Sequence, residues 1–276
     1  MSIEVIRANV AAALAEDVGS GDVSADLVPE SAAGTATVIS REACVLAGRP
    51  WFDETFAALG GARIDWNHAD GDEVSAGSEL CRIAAPLRTL LTGERTALNF
   101  LQLLSGTATT ARAYVRALGA SRTRILDTRK TIPGLRFAQK YAVRLGGASN
   151  HRIGLFDAVL IKENHIAACG GIAPAIERAR TLHPGLTVEI EVESLDEFRQ
   201  AQAAKPDRIM LDELPPDELR IAIAERAPGI ELELSGGLSR DDLPSIATLG
   251  VDYVSIGALT KHVRAIDLSM RIVGTW

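Results

Sequence analysis

Three cysteines, Cys44, Cys81 and Cys169, are all that this chain of 276 residues contains. Widely separated and odd in number, they favour neither a disulfide framework nor a cysteine metal site. Aromatic residues make up only 4%. Few of them interleave with the basic residues, which argues against a stacking surface for nucleic acid. Long hydrophobic runs are missing as well. A typical longest run, Val10–Ala15, falls far below the roughly 20 residues of a membrane span. The N-terminus shows no basic segment, apolar stretch and small-residue cleavage site in sequence, so a cytoplasmic location is expected. Positive charge is not in excess. With 36 acidic against 29 basic residues the net charge is −7, which weighs against general affinity for nucleic acid or membranes.

What is present is the balance of an ordinary folded protein: 47% hydrophobic and 24% charged residues. The length allows one large domain or two modest ones. The charge is unevenly spread. Between Arg122 and Arg152 stand eight basic residues and a single acid, Asp127, against 21 basic and 35 acidic residues elsewhere. An acidic protein that gathers cations in one stretch is expected to handle an anion there, although a solvated basic helix face would give the same run.

The second half repeats a strand-then-helix unit. Apolar, β-branched-rich runs occupy 124–130, 157–165, 186–194, 208–214, 230–237 and 253–260. Helical patterns fall at 134–145, 172–182, 195–204, 217–227 and 241–249, with Asp196 and Ser239 as early-turn or capping groups. Such a series predicts an α/β fold with a parallel sheet covered by helices. A barrel is the closed solution and an open doubly wound sheet its rival. Each strand is apolar in its body and polar at its C-terminal end: Asp127–Lys130, Lys162–His165, Glu189 to Glu193, Asp212–Glu213, Ser235–Gly237, Gly257. In a β/α barrel these ends meet at one mouth, where catalytic groups gather. The first hundred residues differ. Ile3, Ile6, Val10 and Leu14 predict an amphipathic helix, and 35–85 alternates as a small antiparallel sheet with a helix near 51–59. A long helix is expected over 87–118, with Arg95, Asn99 and Gln102 along one polar stripe that by spacing alone reads as a solvated face.

The strand ends suggest chemistry. Ser235-Gly236-Gly237 before a helix can expose backbone N–H groups to a phosphate, and Gly257 with Ala258 again lets backbone approach a ligand. Glu191 and Asp212 on adjacent strands are suited to Mg²⁺, directly or through water, or to ribose hydroxyls. Glu189, Glu191 and Glu193 share one side of their strand, so they need cations, a metal or a structural salt-bridge layer. Arg129, Lys130, Arg152 and Lys162, with His151, form a cationic side able to bind carboxylate or phosphate. Together these groups suit a phosphorylated sugar with a metal-bound pyrophosphate leaving group and a second, anionic substrate.

Several motifs are long: 91–99 (LTGERTALN), 127–136 (DTRKTIPGLR), 146–152 (GGASNHR) and 160–165 (LIKENH), followed by 189–193 (EIEVE), Leu211-Asp212, 235–237 (SGG) and 255–259 (SIGAL). In order and spacing they resemble the quinolinate phosphoribosyltransferase family over essentially the whole chain. The resemblance implies an N-terminal α/β sandwich-like domain (1–110) and an open parallel β/α barrel (111–276), with a last helix returning to the N-terminal domain. It also implies transfer of phosphoribosyl from phosphoribosyl pyrophosphate to quinolinate with Mg²⁺, yielding nicotinate mononucleotide, pyrophosphate and CO₂. The quinolinate pocket would comprise Arg95, Arg129, Lys130, His151, Arg152 and Lys162. Arg95 would enter from the neighbouring subunit of a homodimer. Phosphoribosyl and metal contacts would be Glu191, Asp212, Ser235, Gly236, Gly237, Gly257 and Ala258, with Thr128 a further substrate contact, Lys130, Glu191 and Asp212 catalytic, and Glu191 and Asp212 at the metal, directly or through water or ribose. Glu163, Glu213 and Ser24 stand where the family often has Asp, Asn and Thr. Rival readings are a phosphoribosyltransferase for another pyridine acid, a Schiff-base aldolase using Lys162, and a non-catalytic phospho-sugar sensor.

Overall fold

Alternating burial sets the first sheet. In the computed structural model, which describes residues 2–276, strand Ala33–Ser40 buries Gly34, Ala36, Val38 and Ser40. It lies between Leu268–Thr275 and Glu79–Pro86, both antiparallel to it, and Arg63–Trp66 completes the four-stranded sheet. Helix Leu87–Leu118 sets Leu90, Ala97, Leu98 and Leu101 into one core with Phe52, Phe56, Leu80 and Ile83. These elements, with the long helix only as far as Arg112, belong to the first of two compact units, made of the chain up to Arg112, Thr131–Gly147 and Leu259–Trp276. The division differs from a single cut near residue 110, because helix Arg136–Leu145 also belongs here. The chain ends in a strand, not in the expected returning helix. Period-two burial of Leu268 and Met270, followed by β-branched Ile272 and Val273, favours extended chain.

The second unit comprises Ala113–Lys130 and Ala148–Ala258. Six parallel strands form its sheet: Arg124–Leu126, Val159–Ile161, Val188–Val192, Arg208–Asp212, Glu231–Ser235 and Tyr253–Ser255. From the second strand to the sixth each lies beside its predecessor, and the first pairs with the sixth. A doubly wound sheet would reverse direction part-way. This order is that of a barrel left open between its first and second strands. Ser149 bridges Leu126 on the side facing that gap, so 149–152 runs along the edge of the first strand.

Two local expectations change. Only Val159–Ile161 of the 157–165 run is strand, because helix Glu163–Cys169 starts at once and makes Lys162 its N-cap. The helix expected over 241–249 is a 3-10 turn, Arg240–Asp242, then one helical turn, Leu243–Ile246. Ser239 and Asp242 cap that turn reciprocally, and Pro244 restricts what can continue from it.

Candidate active site

The strand ends of the second unit surround a cavity of about 300 Å³. Thr128, Arg129 and Lys130 follow the first strand, His151 and Arg152 come from the segment beside it, Lys162 follows the second, and Glu191, Ser235 and Ser255 end later strands. Met210 and Glu233 lie at its base between them. A larger cleft of about 530 Å³, lined by Leu155, Phe156, Val159, Leu182 and Leu186, is mostly apolar and lacks such a set of facing charges.

Electrostatics divide the cavity. On one wall stand Arg129 and Arg152. Burial first, and then the like charge of Arg129, lower the pKa of the Arg152 guanidinium. Arg129 Nε is buried without a hydrogen-bond partner among the described residues. Arg152 Nη1 makes only a long contact, 3.4 Å, to the Ala158 carbonyl. Two guanidinium groups short of acceptors make a site for carboxylates. Lys162, also lining the cavity, donates a hydrogen bond to Glu191. The carboxylates of Glu163, Glu191 and Glu193 can come within 4.8 Å of one another. Their hard oxygen donors fit Mg²⁺, which binds through one or two carboxylates and substrate phosphates. Asp212 lies outside that trio, opposite Ser235 in the strand register.

The other anticipated residues fall into three groups. Gly257 stands against the Lys130 side chain: a Cβ there would lie 3.0 Å from Lys130 Cδ. Ala258 begins the next helical turn, Ala258–Lys261. Gly236 and Gly237 both have positive φ, and a Cβ on Gly236 would lie 2.3 Å from Glu213 Cγ and 3.0 Å from Glu213 N. The helix after them is too short for a strong dipole, so a phosphate there would be held by the turn itself. Arg95 belongs to the first unit and is exposed, as is Asn99. Gln102 is structural, its amide donating to the Ile266 carbonyl at 3.0 Å.

Glu189 and Glu191 are buried as their shared face requires, but Glu193 lies beyond the strand and is exposed. The salt-bridge layer is present: Lys162 pairs with Glu191, whereas Glu189 is met by His151 and Arg208. His151 Nε2 lies 3.0 Å from Glu189 and 3.5 Å from Glu233, and Arg208 Nη1 lies 3.1 Å from Glu233. Burial opposes charge on His151, yet these carboxylates push its pKa up to about 9. Burial and the neighbouring Glu233 raise the Glu189 carboxyl. Glu233 is held low by His151 and Arg208 in spite of its burial. Glu233 and Arg208 were not marked by the sequence, whereas Asp127 was, as the one acid of the basic stretch. Glu231 and Glu233 repeat the two-residue spacing seen at Glu189 and Glu191, the one signal available for them.

Residues 22–105 match the family model for the quinolinate phosphoribosyl transferase N-terminal domain, and 107–271 that for its C-terminal domain. A Mycobacterium leprae protein named nicotinate-nucleotide pyrophosphorylase [carboxylating] is 40% identical, with 97% of each chain covered. A human protein of the same name is 36% identical over 90% of this chain and 85% of its own. The solved structure of the nicotinate-nucleotide pyrophosphorylase from Francisella tularensis superimposes with a TM-score of 0.95 at 45% identity, covering 99% and 97% of the two chains. With both domain models matched in order and an open barrel bearing paired arginines, the chain belongs to the quinolinate phosphoribosyl transferase family.

Proposed function

We propose that the cavity at the barrel mouth is where this chain performs its family's reaction. The chain is a decarboxylating phosphoribosyltransferase of NAD biosynthesis: it joins quinolinate to phosphoribosyl pyrophosphate, giving nicotinate mononucleotide, pyrophosphate and CO₂. The observation that carries the site is the pair Arg129 and Arg152, two neighbouring guanidiniums without carboxylate partners, one with a buried N–H left unmade. A substrate with two adjacent carboxylates supplies what they lack.

Arg129 and Arg152 then hold the carboxylates, while Lys130 and Lys162 flank the sugar and its leaving group. The pyridine nitrogen attacks the ribose C1 as pyrophosphate departs. Glu191, kept in place by Lys162, faces the positive charge that develops on the ribose, and Asp212 orients its hydroxyls. Ser235, Gly236 and Gly237 offer hydroxyl and backbone N–H groups to the sugar phosphate, and Gly257 leaves room for the Lys130 stem. Thr128 Oγ1 accepts the Lys130 N–H at 3.1 Å and so fixes the turn that carries Lys130. Once the ring nitrogen is quaternised, it stabilises the electron pair left by CO₂, and the arginines need only keep the adduct oriented. Mg²⁺, held by Glu191 and Asp212 directly or through water, would supply charge to the departing pyrophosphate.

Arg95, an exposed cation on the long helix, suits a homodimer in which it completes the site of the other subunit. No described helix is long and apolar enough to cross a membrane, in keeping with a cytoplasmic enzyme of small-molecule substrates. The test is an assay of pyrophosphate and CO₂ release with quinolinate or nicotinate, with and without Mg²⁺. Release of both products with quinolinate alone, dependent on Mg²⁺, is expected. Equal turnover of nicotinate would refute the two-carboxylate pocket.

A further inference from the structure

Beneath the cavity lies a buried polar layer that the chemistry above leaves unused. Glu189, Arg208 and Glu233 come from three consecutive strands, with Arg208 opposite Glu189 in one register and opposite Glu231 in the next. The side chains of Glu189 and Glu233 are 3% and 0% exposed, so neither has water to hold its charge. Arg208 lies 3.1 Å from Glu233 and 4.0 Å from Glu189. Its guanidinium is braced on the other side, 3.9 Å from the Tyr253 ring centroid and 3.0 Å from Glu231.

A buried layer of this kind is weak evidence of stabilisation, since well-packed apolar residues of similar volume are often as good or better. A role in fixing geometry accounts for one where a nearby group depends on it. That group is His151. Its Nε2 faces the two carboxylates at 3.0 and 3.5 Å. Its Nδ1 accepts the backbone N–H of Arg152 at 2.7 Å. Its own backbone N–H donates to Asp127 at 2.8 Å, and Asp127 also accepts from the Asn150 amide at 2.6 Å. Nε2 thus lies at ion-pair distance from the buried layer, and Nδ1 is engaged by the residue that bears the cavity's guanidinium. A histidine so held presents its ring to the cavity and directs its polar atoms elsewhere.

We propose that His151 is a positioning residue: the Glu189–Arg208–Glu233 layer fixes its ring, and the ring fixes the backbone of Arg152 so that its guanidinium meets a quinolinate carboxylate. The inference rests on the assignment of Arg152 to quinolinate made above. Within it, Glu233 acts on substrate only through His151 and Arg152. Its effect must therefore vanish once the Arg152 guanidinium no longer makes its contact.

The experiment is a double-mutant cycle between Glu233→Gln, close in shape but uncharged, and Arg152→Lys. Steady-state kinetics on the whole enzyme give kcat and the KM for each substrate, and thermal melting checks folding. In the parent, Glu233→Gln should raise the quinolinate KM by about tenfold and leave that for phosphoribosyl pyrophosphate within about twofold. In the Arg152→Lys background the same substitution should change the quinolinate KM by less than about twofold. An equal loss in both backgrounds, or an unchanged quinolinate KM in folded Glu233→Gln, overturns the proposal. Should Glu233→Gln not fold, Arg208→Lys is taken through the same cycle under the same criteria. Wild-type enzyme without quinolinate turnover would instead overturn the functional assignment itself, so the two failures are told apart.

Discussion

Arg152 and Gly236 show how much rests on single residues at the mouth. Replacing Arg152 by alanine leaves a substrate carboxylate without its partner, and the expected loss of quinolinate affinity is roughly 2–5 kcal/mol. Affinity for phosphoribosyl pyrophosphate should change far less, and calorimetric titration of each substrate checks the difference. Gly236 has φ of +101° and stands against the Glu213 backbone. Gly236→Ala combines that conformation with a clash, so destabilisation of about 1–3 kcal/mol is expected, with a raised KM for phosphoribosyl pyrophosphate. Urea unfolding and kinetics read the two effects separately. Glu213 itself holds φ of +53°. Asn tolerates that region better than Glu, so Glu213→Asn should stabilise the chain slightly in the same unfolding assay.

Strands bring together groups that the sequence keeps far apart. His151, Glu189 and Glu233 meet around Arg208. His151 and Glu189 both hold protons more tightly than usual, the histidine to about 9. Because Nδ1 accepts from Arg152, that proton belongs to the cluster and not to the ring alone. An unfolded chain would release a histidine proton near the ordinary value of about 6.5. The stabilisation is thus complete below that pH and is lost as pH rises through about 9. Melting temperature should fall across this window in the wild type and fall less in Glu233→Gln. A flat wild-type profile would show that the cluster holds no such proton. The six strands themselves were legible, since buried parallel strands read as continuous apolar runs. Their exact ends were not: helix Glu163–Cys169 starts where the run still looked extended, because capping at Lys162 and His165 is a local hydrogen-bond choice that apolar patterning does not encode.

At the scale of the whole molecule, the two-fold proposal makes a quantitative demand. Arg95→Ala and Lys162→Ala should each be nearly inactive. Mixed dimers would carry one doubly defective and one intact site, so subunit exchange between the two variants should restore roughly a quarter of wild-type activity. No recovery after demonstrated exchange would place Arg95 in the site of its own subunit. The sequence by itself determined the repeating strand–helix order, the loaded strand ends and the family, because these depend on residue type and spacing along the chain. It also marked Thr128, Arg129, Lys130, His151, Arg152, Lys162, Glu191 and Ser235, which the barrel gathers around one cavity. Only the tertiary structure decided that residues 268–275 are a strand beside Ala33–Ser40, that the helix after the Ser235–Gly237 turn is a single turn, and that Glu233 lies against both His151 and Arg208. Those outcomes depend on which distant segments pair and on how buried charges find one another, and neither is written in the spacing of neighbours along the chain.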